Sequence, residues 1–197
     1  MVDKPAILGG TPIFNQFIPL VQPTLPPYDG RLARQVAELF ETGMLTKGKY
    51  LSEFEARVAE YLGVKHAVAV SSCTLGLLLT YQGLGFEGEV IVPSFTFMAT
   101  VHPLVWVNAE PVFVDIDPYT WNIDPAKVEA AITERTTAIV AVHNFGNPAP
   151  VAELEAIAHR YGLKLVFDAA HGFGSLYRGR PVGGFGDAEV FSLSPTK

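Results

Sequence analysis

A chain of 197 residues that is 49% hydrophobic and 17% charged has the balance of a folded globular domain, which excludes the disordered class. Its net charge of -6 arises from interspersed acids and bases, so no basic stripe exists to follow a nucleic-acid backbone. The single cysteine, Cys73, excludes an internal disulfide framework and suits a reducing, cytoplasmic compartment, while no apolar run reaches membrane-spanning length and the N-terminal MVDKPAILGGTPIF lacks a signal peptide's apolar core.

Residues 1–30 are rich in Pro and Gly and read as an extended arm, ahead of one domain over 31–197. Helical patterns follow at Arg31–Thr42 and at 52–62. In the second, Ser52 and Glu55 have capping-box spacing, and Phe54, Val58, Tyr61 and Leu62 share one face. From there strand and helix alternate. Residues 67–70 (AVAV) read as a short buried strand, 74–82 as a helix and 89–92 as a strand closed by Pro93. Residues 96–107 read as helical despite Pro103, 111–116 (PVFVDI) as a strand, and 125–134 as a helix capped by Asp124. A strand at 137–143, a helix at Val151–Tyr161, and strands at 163–168 and 188–193 complete the pattern. Such alternation predicts an α/β fold: a mainly parallel sheet with helices on both faces, joined by right-handed crossovers. Ligands in such sheets collect beyond the carboxyl ends of the strands, so the residues just past each strand matter most.

After Val70 comes Ser71-Ser72-Cys73-Thr74-Leu75-Gly76, hydroxyl residues leading into a helix. Exposed amides and hydroxyls there suit a phosphate; equally, Ser72 caps the helix. The dinucleotide fingerprint G-x-G-x-x-G is absent from this turn. After the next strand, PSFTFMAT places Phe97 either as a shelf for a flat ring or as a core residue. Asp168 ends an apolar strand in VFDAAHG, where it either caps the next turn or meets a cation such as a protonated pyridine nitrogen. Lys197 follows the last strand, either as a solvated end or as an amine that forms a Schiff base with an aldehyde cofactor. Taken in order, a phosphate-type turn, an aromatic, a strand-end Asp and a strand-end Lys are the four holds that pyridoxal 5'-phosphate (PLP) requires.

The blocks FEARVAEYLGVKHAVAVSS, EVIVPSFTFMAT, AEPVFVDIDPYTWNID, TTAIVAVHNFGNPA, FDAAHGFGS and GDAEVFSLSPTK resemble the DegT/DnrJ/EryC1/StrS aminotransferases, of PLP fold type I. The likeness runs from about Gly43 to Lys197. It implies the three-layer α/β/α large domain of that fold, with Lys197 carrying the cofactor imine, Asp168 pairing with the pyridine nitrogen and Phe97 stacking on the ring. Ser72, Cys73, Thr74, Leu75 and Ser192 would hold the phosphate. His171 stands where many members have Gln, near the phenolic oxygen; both side chains can donate a hydrogen bond. Cys73 stands where the family usually has Gly, which narrows the room beside the phosphate.

The resemblance further implies a homodimer with shared active sites, amino transfer from glutamate to a nucleotide-linked keto sugar, and a small C-terminal domain after the lysine that this chain lacks. A sugar dehydratase, whose family form carries His in place of the lysine, and a non-catalytic remnant of the fold are the rival readings. His66, His102, His143 and His159 show no metal-ligand spacing, Trp106 and Trp121 read as packing residues, and Asn144 and Asn147 as turn formers first and site-lining residues second.

Overall fold

The computed structural model describes residues 4–14, 16–19 and 28–195. Five parallel strands form one sheet in the order β2-β1-β3-β4-β7: β1 Glu89–Pro93, β2 Glu110–Val114, β3 Thr136–Val142, β4 Lys164–Ala169 and β7 Ala188–Phe191. Two two-residue strands, β5 Leu176–Tyr177 and β6 Arg180–Pro181, make a separate antiparallel hairpin. The described residues also form six α-helices, α1 Arg31–Thr42, α2 Lys49–Leu62, α3 Cys73–Gly83, α4 Met98–Trp106, α5 Pro125–Ala130 and α6 Val151–Tyr161, and two 3-10 turns, Ala6–Leu8 and Asn144–Gly146.

The central strands β1 and β3 are buried almost throughout because both of their faces are covered. Alternate residues of each strand point to opposite faces, so two cores form. Ile91, Ile139, Ala141, Leu165 and Phe167 pack with Val128 of α5 and Leu154 and Ile157 of α6. Val90, Val92, Ala138, Val140 and Val166 pack with Leu77 and Tyr81 of α3 and Leu104 of α4 on the other face. This is the three-layer α/β/α arrangement expected from the alternating pattern.

Three expectations need correction. Residues 67–70 form no strand: among the described residues the segment joins no sheet, and Val68 and Val70 are exposed. Its β-branched alternation suits a strand, yet a strand needs a neighbour. Here a cavity of about 760 Å³ is lined by both this segment and β7. The Ala69 amide is met instead by the Glu55 carboxylate, at 2.9 Å. That contact also displaces the expected capping box, because α2 begins three residues before Ser52, with Gly48 as its N-cap. Lys49 and Tyr50 extend the helix by binding Glu38 of α1. Finally, Trp106 and Trp121 are exposed and do not sit in the core.

Candidate functional site

Strand β1 is flanked by β2 on one side and β3 on the other, so the chain reverses direction across the sheet between β1 and β3. The helix after β1 packs on one face and the helix after β3 on the opposite face. The loops at these carboxyl ends therefore diverge, at the usual ligand position in such sheets.

Asp168 lies at the carboxyl end of β4 and is 4% exposed. Its Oδ2 accepts from the Thr100 hydroxyl at 2.6 Å, and its Oδ1 from the Ala170 amide at 3.0 Å. Thr100 is fully buried in α4, and its hydroxyl lies 2.7 Å from that of Thr96. With Asp168 ionised, Thr100 donates to the carboxylate and Thr96 donates to Thr100. The Thr100 amide also donates to the carbonyl of Phe97, at 3.0 Å. One threonine thus ties the carboxylate to the start of α4, where Phe97 is the N-cap. The Phe97 ring is 74% exposed, which removes the core reading and leaves a ring free to face a ligand. Below this group, Tyr81 donates to the carbonyl of Thr100 at 3.0 Å. Burial, then electrostatic interaction with Asp168 and Cys73, pushes the Tyr81 hydroxyl well above its ordinary value, so it stays protonated and remains a donor.

Ser72 is the N-cap of α3, and its hydroxyl accepts from the Leu75 amide at 3.2 Å. The cap reading is therefore realised, and it leaves Ser72, Cys73 and Thr74 at the positive end of an 11-residue helix. Cys73 bears on the sheet: its thiol reaches toward the carbonyl of Val190 at 3.8 Å. The side chain expected to crowd the anion seat thus has a contact on β7. Val190 is the register partner of Asp168, so the α3 start and Asp168 are neighbours across one strand pair. Ser72, Cys73 and Ser192 line a common cavity; Thr74, Leu75, Phe97, Asp168 and His171 do not line it. His171 is exposed, three residues past Asp168, and stacks on Phe145 with ring centroids 6.1 Å apart. Lys197 lies outside the described residues.

Thr96 and Thr100 are missing from the residues picked out of the sequence. Within TFMATVHPLVW, a threonine in an apolar helix reads as packing. Only the distance to Asp168 separates the two meanings. The asparagines read as turn formers, Asn144 and Asn147, do form a 3-10 turn with its C-cap, and their amides also brace it. Asn147 donates its side-chain amide to the carbonyl of Thr120 at 3.2 Å, and the Asn144 amide donates to Asn122 Oδ1 at 3.1 Å.

A similar organisation recurs in known proteins. The Escherichia coli dTDP-4-amino-4,6-dideoxy-D-glucose transaminase is 39% identical over 169 residues, covering 85% of this chain and 45% of that protein. The crystal structure of DesI in the presence of its TDP-sugar product matches with a TM-score of 0.90 and 45% identity, covering 98% of this chain and 49% of that one. The PLP form of the putative sugar aminotransferase Spr1654 from Streptococcus pneumoniae matches with a TM-score of 0.84 and 29% identity, over 91% of this chain and 50% of that one. The chain thus spans about half the length of the relatives it matches. The family model described as the DegT/DnrJ/EryC1/StrS aminotransferase family matches residues 28–197, and the chain belongs to that family.

Proposed function

We propose that this chain is the cofactor-binding part of a PLP-dependent aminotransferase that moves an amino group from glutamate to a nucleotide-linked keto sugar. Asp168 carries this reading. A buried carboxylate is costly unless it is hydrogen-bonded or paired with a cation. Among the described residues, no lysine or arginine forms an ion pair with it. Thr100 and Ala170 supply its two described hydrogen bonds at the carboxyl end of β4. A protonated pyridine nitrogen fits this demand, so the donor set suits PLP.

The remaining assignments follow from position. Ser72, Thr74, the Cys73 amide and Ser192 would hold the phosphate, while the Leu75 amide is engaged by the Ser72 hydroxyl. Phe97 offers a ring face, and His171 would donate toward the phenolic oxygen. When bound, the cofactor supplies the electron sink for breaking the donor's alpha C–H bond. Asp168 would face the ring nitrogen and favour its protonated form, Thr100 holds Asp168 in place, and the Lys197 amine would carry the proton. The two-fold assembly with a second copy belongs to the same proposal.

The test is to add PLP to the purified chain and record visible absorbance before and after borohydride. The expected result is a band that borohydride removes, with the label mapped to Lys197 and lost in Lys197→Ala. A persistent band in that variant would sink the assignment. Absence of any band would favour a non-catalytic remnant.

A further inference from the structure

Three aromatic side chains that the proposed chemistry does not use come together beyond the carboxyl ends of β1 and β3. Phe95 follows β1, Phe145 follows β3 and Trp121 comes from the β2–α5 connection. Their ring centroids lie 5.1 Å apart for Phe95–Trp121, 6.3 Å for Phe95–Phe145 and 6.4 Å for Trp121–Phe145. Exposed apolar rings in mutual contact are costly, yet Trp121 is 47% exposed and Phe145 71%.

Two of the three are also held in unfavourable backbone. Trp121 has φ 63° and Phe145 φ 55°, the left-handed region that bulky residues avoid. A buried set of amides holds them there. Asn122, 1% exposed, donates to the carbonyls of Asn147 and Pro148 at 3.2 and 3.1 Å, and its Oδ1 receives the Asn144 amide. The Asn144 side chain in turn donates to the carbonyl of Trp121. The Trp121 amide donates to the carbonyl of Asp117 at 2.9 Å. Two buried asparagines thus fix the presentation of two rings that stay well exposed.

We infer that Phe95, Trp121 and Phe145 form a rigid aromatic shelf that packs against the apolar face of the acceptor's sugar ring. The inference rests on the aminotransferase reading of the site and adds to it the surface that receives the sugar. Placement favours the sugar over the base. Phe145 stacks on His171, with planes 11° apart, and His171 is three residues from Asp168. The shelf therefore adjoins the proposed cofactor position, where the reacting sugar carbon must lie, whereas the base is a diphosphate away. Pyranose rings carry apolar C–H faces that aromatic rings accept, and rings fixed in advance lose little freedom on binding.

The chain has two tryptophans, so Trp106→Phe leaves Trp121 as the sole indole reporter. Its fluorescence would be titrated with dTDP-glucose, UDP-glucose and GDP-mannose, and with each free nucleoside diphosphate. The expected result is a saturable change with at least one nucleotide sugar and a much smaller one with its sugar-free diphosphate. Phe145→Asn, which suits left-handed backbone, should keep the thermal midpoint and weaken that binding about tenfold. Phe145→Tyr should restore it. No saturable change with any sugar, equal responses to sugar and diphosphate, or unchanged binding in Phe145→Asn would overturn the shelf. A signal that follows protein concentration instead of ligand would overturn it in favour of a second copy. Borohydride labelling of Lys197, read separately, distinguishes the failures: label without a sugar response sinks the shelf alone, and a sugar response without label sinks the cofactor reading alone.

Discussion

Thr100 joins two requirements in one hydroxyl. It satisfies a buried carboxylate, and through its amide it fixes the residue that carries an exposed ring. Removing the hydroxyl by Thr100→Val leaves Asp168 Oδ2 without that donor in a site closed to water, at a cost of about 1–3 kcal/mol. The expected outcome is a lower denaturation midpoint together with weaker PLP binding by absorbance titration. Thr100→Ser should recover most of both. If Val and Ser behave alike, the hydroxyl carries no part of the effect. Asp168 was legible in the sequence because an acid closing an apolar strand is out of place. Thr100 was not, because a buried threonine looks the same whether it packs or donates. Trp121 and Phe145 were illegible for a related reason: nothing in TWNID or HNFGN states that their backbone is left-handed.

At the scale of elements, α3 shows why a small residue matters in a helix that touches a strand. A Cβ on Gly76 would stand 2.8 Å from Val190 Cγ1 and 3.2 Å from Val70 Cγ2. Gly76→Ala gains helix propensity of about 1 kcal/mol but must push α3 off β7, which costs about 1–3 kcal/mol. The expected net effect is a loss of stability in chemical denaturation, with the greater disturbance at Ser72 and Cys73. An increase in stability would show that α3 can tilt freely.

Helix α1 poses the opposite problem, since none of its residues is buried. Its described polar ties to α2 run from Glu38 to Lys49 and Tyr50. Hydrogen bonds from Lys49 and then Tyr50 lower the Glu38 carboxyl below its ordinary value, while the Glu38 bond raises the Lys49 ammonium. The Glu38 contribution is present above the ordinary carboxylate value and is lost as pH falls through the lowered one. The Lys49 contribution is present below the ordinary lysine value and is lost as pH rises through the raised one. Hydrogen exchange of α1 amides, corrected for intrinsic rate, should therefore be slowest at neutral pH and quicken at both extremes. Glu38→Gln should quicken it throughout and flatten the profile. The α1 pattern itself was plain in the sequence, and its bounds agree with the structure. The misread start of α2 came from side chains on α1, which no local capping rule takes into account.

For the whole molecule, the consequence that reaches furthest is at the β7 edge. Strand β7 pairs with β4 on one side, and among the described residues no strand pairs with its other side. The alternating pattern fixed the layers and the parallel sheet, but strand pairing beyond the sequence neighbours was not legible. That is why residues 67–70 read as a strand and stand apart from one. Between them and β7 lies the cavity of about 760 Å³, lined by apolar Val58, Leu62, Val68, Val70 and Val190. An open strand edge beside exposed apolar side chains is a template for association between chains. The 197-residue chain should therefore associate as concentration rises, and an apolar dye such as ANS should bind it. Val68 is 79% exposed, so Val68→Lys removes apolar surface with little change in stability, within about 0.5 kcal/mol. Sedimentation velocity should show less association for Val68→Lys at equal concentration, with dye binding reduced in step. Association that is unchanged while dye binding falls would place the contact elsewhere, with the exposed stripe of α1 next to be tested by the same substitution at Phe40.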